Sequence, residues 1–344
     1  MKFAFIVWTI EIGPTVSDRT YSPSMPMRGK FVASVAAAAL VLGSAGASAE
    51  RISFDSAARD SQAVQIFQGK TEYVERIHGE LRLPSRGTGP FPAMVILHSS
   101  RGINATIGAW AAMFDEMGVA TFVVDSFTPR GLAESSADQL SFPAGVVDSL
   151  RALKTLRQDP RIDPRRIGVI GFSRGAVAAM NSGFERYRAA VLGPDAGRFA
   201  LHVVFYGGCA QYAKTTGSPI LALMGTEDDF NNLDVCRKQA EILNRQGTPA
   251  ELVVYEGALH GFDTDFPRQS MPMVRNFKNC RMLLDLDTFD ATLLDGRTLD
   301  AEERARYARS CSGYGASRGG DRKYASAARE RVARFVAERF NLRQ

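Results

Sequence analysis

Apolar residues along this chain fall into two rhythms. One is a series of short runs rich in β-branched and aromatic residues: "VQIF" (64–67), "YVERIHGELRLP" (73–84), "AMVILH" (93–98), "VATFVV" (119–124), "RIGVIG" (166–171), "LHVVFY" (201–206), "PILALM" (219–224) and "ELVVYE" (251–256). The later runs are almost continuously apolar, as strands covered on both faces must be. Between them the apolar spacing changes to three and four. "PAGVVDSLRALKTLRQ" sets Val146, Val147, Leu150, Leu153 and Leu156 on one helical face. Ser141 is the expected cap, with Pro143 in the first turn, and "DPRIDP" ends the helix. The closing "DRKYASAARERVARFVAERF" carries a stripe of Val332, Phe335, Val336 and Phe340. Alternation of this kind predicts an α/β fold, a mostly parallel central sheet of about eight strands with helices on both faces. The first two runs have no helix between them and predict an antiparallel edge. With no internal repeat and no linker rich in Pro, Gly or Ser, residues 50–344 read as one domain.

The rhythm breaks in two places. Residues 276–320 fall between the last strand and the last helix, bracketed by Cys280 and Cys311 and leaving through a Gly/Ser-rich exit, which marks an insertion. The spacing of Asp285, Asp287 and Asp290 does not match a calcium loop, so a solvated surface hairpin without a metal is expected. The other break is at the start. Arg28 and Lys30 precede "FVASVAAAALVLG" (31–43), and Ala47 and Ala49 follow in "SAGASAE". This is the pattern of a secretory signal peptide over 25–49, cut before Glu50. The run is too short to span a bilayer, and no cysteine follows the cut for lipid attachment, so no stable membrane anchor is expected. Residues 1–24 are foreign to such a signal. Met25 or Met27 is the expected start, with the upstream stretch an over-long reading of the gene. The alternative for the apolar run is an internal buried helix.

Composition is that of an ordinary globular protein, 45% hydrophobic and 23% charged over 344 residues. The formal charge is +5. Its basic residues are scattered and not interleaved with aromatics, so nucleic acid is not an expected partner. Export, to the periplasm or the medium, changes how the cysteines read. Cys209, Cys236, Cys280 and Cys311 all follow the cut, an even number for an oxidising compartment. Three pairings are possible. Cys209–Cys236 and Cys280–Cys311 join sequence neighbours, and the second staples the insertion. Four buried thiols are the alternative. No C-x-x-C spacing is present, so zinc is not expected.

The chemistry gathers at Gly171-Phe172-Ser173-Arg174-Gly175, a G-x-S-x-G turn after a predicted strand and before a predicted helix. Such a turn exposes the serine hydroxyl, and the helix N-terminus behind it offers N–H groups to a developing oxyanion. A serine hydroxyl needs a base within hydrogen-bond reach. The chain has His78, His98, His202 and His260. Only His260 lies well downstream, in the order Ser, acid, His. His202 opens an apolar strand, where a satisfied core histidine is expected; His78 sits on the edge strand; His98 is expected to shape its loop. The strand "PILALMG" ends before Glu227, Asp228 and Asp229, and Asp228 is the expected partner of the imidazole, with Asp229 in reserve. For the oxyanion the N–H of Arg174 is one donor, and that of Ser99 or Ser100 is the other.

The strings "DSFTPRG" (125–131), "DPRRIGVIGFSRGA" (163–176), "MGTEDD" (224–229) and "YEGALHGFD" (255–263) together resemble the dienelactone hydrolase family of the α/β-hydrolase superfamily. The resemblance spans about residues 70–265 and the last helix. It implies the α/β-hydrolase fold and a cofactor-free hydrolase of small-molecule esters or lactones. It also implies an acyl-enzyme route, with Ser173, Asp228 and His260 as the triad. The dienelactone hydrolases proper carry a cysteine nucleophile and an acidic residue in the loop that here reads "SSRG". With its cysteines at 209 and 236, its insertion and its export signal, this chain looks more like a secreted branch. Arg130 of "TPRG" is a candidate contact for a substrate carboxylate or, alternatively, for loop carbonyls. A peptidase or acyltransferase could run on the same triad, and a non-catalytic binding protein on the same fold.

Overall fold

The first strand is not the one the apolar runs predict. In the computed structural model, which describes residues 49–342 other than Asp195, β1 is Glu50–Ser56. It pairs antiparallel with β2, Glu75–Arg82. "VQIF" instead lies in a short helix, α1 (Ala63–Phe67), whose first turn is closed by the Gln62 N–H donating to Gln65 Oε1 at 2.9 Å. Only Ile66 of that run is buried, which gives it one helical face rather than an alternation. The edge strand does alternate: Ile52, Phe54 and Ser56 turn inward between exposed neighbours. The expected signal at 25–49 lies outside the described residues apart from Ala49, as does the stretch 1–24.

The remaining strands of the central sheet follow prediction. They are β3 (Phe91–Leu97), β4 (Ala120–Asp125), β5 (Ile162–Phe172) and β6 (His202–Phe205), then, after the two-residue β7 (Gln211–Tyr212) outside this sheet, β8 (Ile220–Gly225) and β9 (Ala250–Tyr255). The order across the eight strands is β1-β2-β4-β3-β5-β6-β8-β9. From β4 to β9 every neighbouring pair is parallel, with β2 antiparallel to β4. The crossovers run through α2 (Ala105–Glu116), α3 (Phe142–Arg157), α4 (Arg174–Asn181), α5 (Glu185–Leu192) and α6 (Leu233–Arg245).

Alternation along a strand sends neighbours to opposite faces. On β3, Val95 and Leu97 pack with Val146, Val147, Leu150 and Leu153 of α3. Met94 and Ile96 pack with Trp110 and Phe114 of α2 on the other face. Both faces being dry, every position must be apolar, and the runs read accordingly. Ser141 caps α3, its hydroxyl accepting from the Ala144 N–H at 3.1 Å.

The insertion is neither a hairpin nor confined to 276–320. It begins with β10 (Gln269–Asn276) and continues through β11 (Met282–Asp285), β12 (Ala291–Leu293), β13 (Thr298–Leu299), α7 (Ala301–Cys311) and β14 (Gly313–Arg318). The closing helix α8 (Arg322–Phe340) then lays Val332, Phe335, Val336 and Phe340 on the sheet. Strands β10 and β14 form an antiparallel ribbon, while β11, β12 and β13 join β7 in a four-stranded sheet. The segment's own buried cluster is small, Ala291, Leu293 and Leu299 with Met282, Leu284 and Tyr307 packed against it, while Leu283 and Leu286 join the cores of the main sheet. Its closure falls to the Cys280–Cys311 disulfide, and Cys209–Cys236 is the second bridge. Two disulfides fit an oxidising compartment. Among the described residues no helix is long and apolar enough to cross a membrane.

Candidate active site

Parallel strands end at one rim, where an α/β sheet places its ligands. Strand β5 sits between β3 and β6, and the chain leaves it at Ser173 with φ 52° and ψ −109°. A non-glycine residue held there stores on the order of 1–3 kcal/mol of strain, which is characteristic of functional turns. The turn is also tight: a Cβ on Gly175 would lie 2.3 Å from Leu97 O, so only glycine lets α4 start there. The acid loop and the histidine loop meet in the same way. A Cβ on Gly225 would lie 2.1 Å from Ala258 O, and the Glu227 N–H donates to that carbonyl at 3.0 Å.

These contacts bring three distant side chains into a row. Ser173 Oγ is 2.9 Å from His260 Nε2, and His260 Nδ1 is 3.0 Å from Asp228 Oδ2. With its Nδ1 proton directed at Asp228, the ring leaves Nε2 as acceptor for the serine hydroxyl. His260 and Asp228 are buried. Asp228 is itself held: Oδ1 accepts from the Phe230 N–H at 2.9 Å, and Asn231 Nδ2 approaches Oδ2 at 3.3 Å. The imidazole lies between two rings, stacked on Phe230 at 4.1 Å and tilted against Tyr206 at 4.7 Å.

Behind that pair is a support the sequence reading missed. The Tyr206 hydroxyl donates to Asp263 Oδ1 at 2.7 Å, and Trp110 Nε1 donates to Asp263 Oδ2 at 2.8 Å. Burial pushes the Asp263 carboxyl up from its ordinary value against the pull of these two donors. The Tyr206 phenol is pushed up by burial and by Asp263, and stays a donor. Asp263 closes the "HGFD" string three residues after the histidine, a visible signal whose partners were not.

The other singled-out residues divide. Ser99, Ser100 and Arg174 line the same cavity as Ser173 and His260. The Arg174 N–H is the first of α4, where helix geometry supplies no intrahelical acceptor. His98 has both ring nitrogens occupied, Nδ1 by Ser99 O at 2.7 Å and Nε2 by the Ser126 N–H at 3.3 Å, and burial lowers its pKa. It shapes the loop. His202 is buried with Nδ1 on Ala179 O at 2.8 Å, but Nε2 has no partner among the described residues, so the ring is only half satisfied there. Asp229 serves elsewhere, Oδ1 accepting from the Ser317 N–H of β14 at 2.8 Å.

Arg130 does not line the cavity and is engaged inside the fold. Its fork is spent on Asp148 at 2.8 and 2.9 Å, on Glu75 and on the carbonyls of Ser126 and Ala57, and its side chain is 1% exposed. The buried Asp148 on α3 needs a bidentate counter-charge, and "TPRG" supplies it. The cavity also has a wall the sequence did not announce, made by Met271, Met273, Val274 and Tyr314 of the β10–β14 ribbon. Among the described residues no cluster of His, Cys, Asp and Glu could hold a metal ion.

A mostly parallel sheet whose strands end in serine, aspartate and histidine turns, in that chain order, defines an α/β-hydrolase. The family profile of the dienelactone hydrolases matches residues 77–282, and the chain belongs to that family. A Bradyrhizobium protein named as a 2-oxo-3-(5-oxofuran-2-ylidene)propanoate lactonase is 22% identical over 200 residues, covering 52% of this chain and 76% of the relative. Among solved structures, a dienelactone hydrolase-like promiscuous phosphotriesterase from metagenomic libraries is 17% identical, with a TM-score of 0.47 over 64% of this chain and 86% of that one. A thermophilic esterase of Thermogutta terrifontis, with propionate bound, is 16% identical, with a TM-score of 0.45 over 64% and 87%.

Proposed function

We propose that this hydrolase is a serine esterase, acting on carboxylic esters or lactones through an acyl-enzyme. The observation that carries the reading is the unbroken row from Ser173 Oγ through His260 to Asp228, at 2.9 and 3.0 Å, opening into a cavity. Ser173 attacks the acyl carbon while His260 Nε2 takes the hydroxyl proton, and Asp228 stabilises the resulting imidazolium. The N–H of Arg174, with that of Ser99 or Ser100, meets the tetrahedral oxyanion. His260 returns the proton to the departing alkoxide, leaving Ser173 acylated. Water, deprotonated by the same ring, then attacks the acyl carbon; the bond to Ser173 Oγ breaks, the ring returns the proton to that oxygen, and the acid leaves. A lactone follows the same steps and opens to a hydroxy acid, a substrate class for which the name of the Bradyrhizobium relative speaks.

A fluorophosphonate probe tests the assignment. Labelling of Ser173 in the wild type, lost in Ser173→Ala together with ester hydrolysis, is the expected result; an unlabelled wild type favours a non-catalytic protein on this fold. The disulfides and the 25–49 pattern support export to the periplasm or medium. Mass spectrometry of the mature chain is then expected to find Glu50 at the N-terminus.

A further inference from the structure

We propose that the β10–β14 ribbon selects the substrate, and that it selects carboxylic esters bearing an extended apolar group laid along Met273 and Tyr314. The proposal rests on the Ser173 esterase reading.

The cavity over Ser173 and His260 measures about 570 Å³, the size that holds a drug-sized ligand. An acetyl ester would leave most of it to water. Its outer wall is supplied by the ribbon. Met273 is 83% exposed and Tyr314 70%, the two most exposed large apolar side chains among the described residues, and both line this one cavity. Folding gains nothing by setting them in water at a catalytic mouth. An apolar ligand covering them gains their area.

The placement of Met273 has a specific backbone cause. Met271 lies opposite Ala316 and Arg275 opposite Tyr314, so the stretch of β10 between those pairs is longer than its partner on β14. The three residues Pro272 to Val274 face the single Gly315, which takes φ +89°, and the two extra residues make a bulge. A bulge re-aims side chains and is a built feature of a sheet; here it brings Met273 and Val274 to the cavity. A thioether also adapts to irregular apolar shapes.

The wall is fixed relative to the nucleophile. Ser317 N–H donates to Asp229 beside the triad acid, Gly319 N–H donates to the carbonyl of His260 at 3.0 Å, and Arg318 pairs with Glu134 across the mouth at 2.8 Å. An apolar chain lying on Met273 is therefore held in register with Ser173. Each buried methylene strengthens binding roughly fourfold.

Two substrate series test this. One is p-nitrophenyl acetate against octanoate; the other is ethyl acetate against octyl acetate, followed by proton release. The expected result is that kcat/KM rises at least tenfold in one series. That ratio should fall at least fivefold in Met273→Gln and in Tyr314→Ser, mainly through KM, and return in Met273→Leu. The control Val64→Ser, at an exposed apolar site away from the cavity, should keep the wild-type ratio. Melting temperatures equal to wild type show that the variants are folded. A flat profile in both series, or a ratio unmoved by the ribbon variants, overturns the proposal. Fluorophosphonate labelling of Ser173, read on the same samples, separates that outcome from failure of the esterase reading.

Discussion

Phe172 and Met273 line one cavity, the first 2% exposed and the second 83%. Phe172 ends β5 and is fixed by dry packing on a sheet covered on both faces; it lies against Trp110 and Phe205 at 5.7 and 5.1 Å. Met273 belongs to a segment whose own buried cluster is small. That segment is closed on itself by one disulfide, and it is held to the sheet domain by Leu283 and Leu286 and by hydrogen bonds to the acid and histidine loops. The sheet therefore fixes where the serine, imidazole and carboxylate meet, while the ribbon can vary what reaches them. Chemistry and selection are carried by parts that should fail separately.

The largest separation is expected at Asp228. Asp228→Asn keeps the volume and removes the charge that stabilises the imidazolium, so kcat should fall by about 10³–10⁴. The fold should barely notice, with a melting temperature within roughly 3 °C of wild type. Steady-state kinetics beside calorimetry checks both, and a kcat reduced by less than about tenfold would remove Asp228 from the proposed row. On the other side of the comparison stands the paired variant Cys280→Ser with Cys311→Ser. A bridge closing a loop of this length contributes about 3.5 kcal/mol through the unfolded ensemble, against a segment with little core of its own. Limited proteolysis should cut within 281–310 several hundredfold faster, while the main melting transition stays close to wild type. A single transition shifted as a whole would show the two regions to be one cooperative unit.

Much of the sheet was legible because burial on both faces leaves its strands no freedom of composition. The G-x-S-x-G turn was legible because its glycines answer local crowding. What was lost depended on distant pairing. β1 alternates weakly at a wet edge, whereas the stronger apolar run "VQIF" makes a helix turn. Arg130 looked available because Asp148, its partner 18 residues on, is hidden in an otherwise apolar helical face. Trp110 and Asp263 touch across 153 residues of chain, and no periodicity announces that. The ribbon was missed because Met271, Met273 and Val274 owe their place to a register shift against β14, which composition does not encode.

His202 offers a smaller test, confined to the sheet. Burial lowers its pKa from 6.5 to about 4, so the folded ring stays neutral where the unfolded one takes up a proton. Its contribution is complete above pH 6.5 and is lost as pH falls toward 4, amounting to about 2 kcal/mol at pH 5. His202→Gln cannot titrate and keeps a donor for Ala179 O. Between pH 7 and 5 it should lose about 2 kcal/mol less stability than wild type in urea unfolding. Equal slopes would mean the ring is charged when folded. Proteolytic opening of 281–310 should show no difference between the two proteins.

The finest contrast lies between neighbouring carboxylates. Asp228 faces His260, whereas Asp229 accepts the Ser317 N–H of β14 at 2.8 Å. Asp229→Asn keeps an acceptor oxygen and loses only the assistance of the charge, about 0.5–1 kcal/mol. The ribbon should then sit less firmly over the cavity. The expected change is a two- to fivefold rise in KM for an octanoate ester, with kcat close to wild type. The same substitution one residue earlier strikes kcat by three orders of magnitude or more. If Asp229→Asn also fell mainly on kcat, the ribbon would be setting the geometry of the triad, and selection and chemistry would share one support.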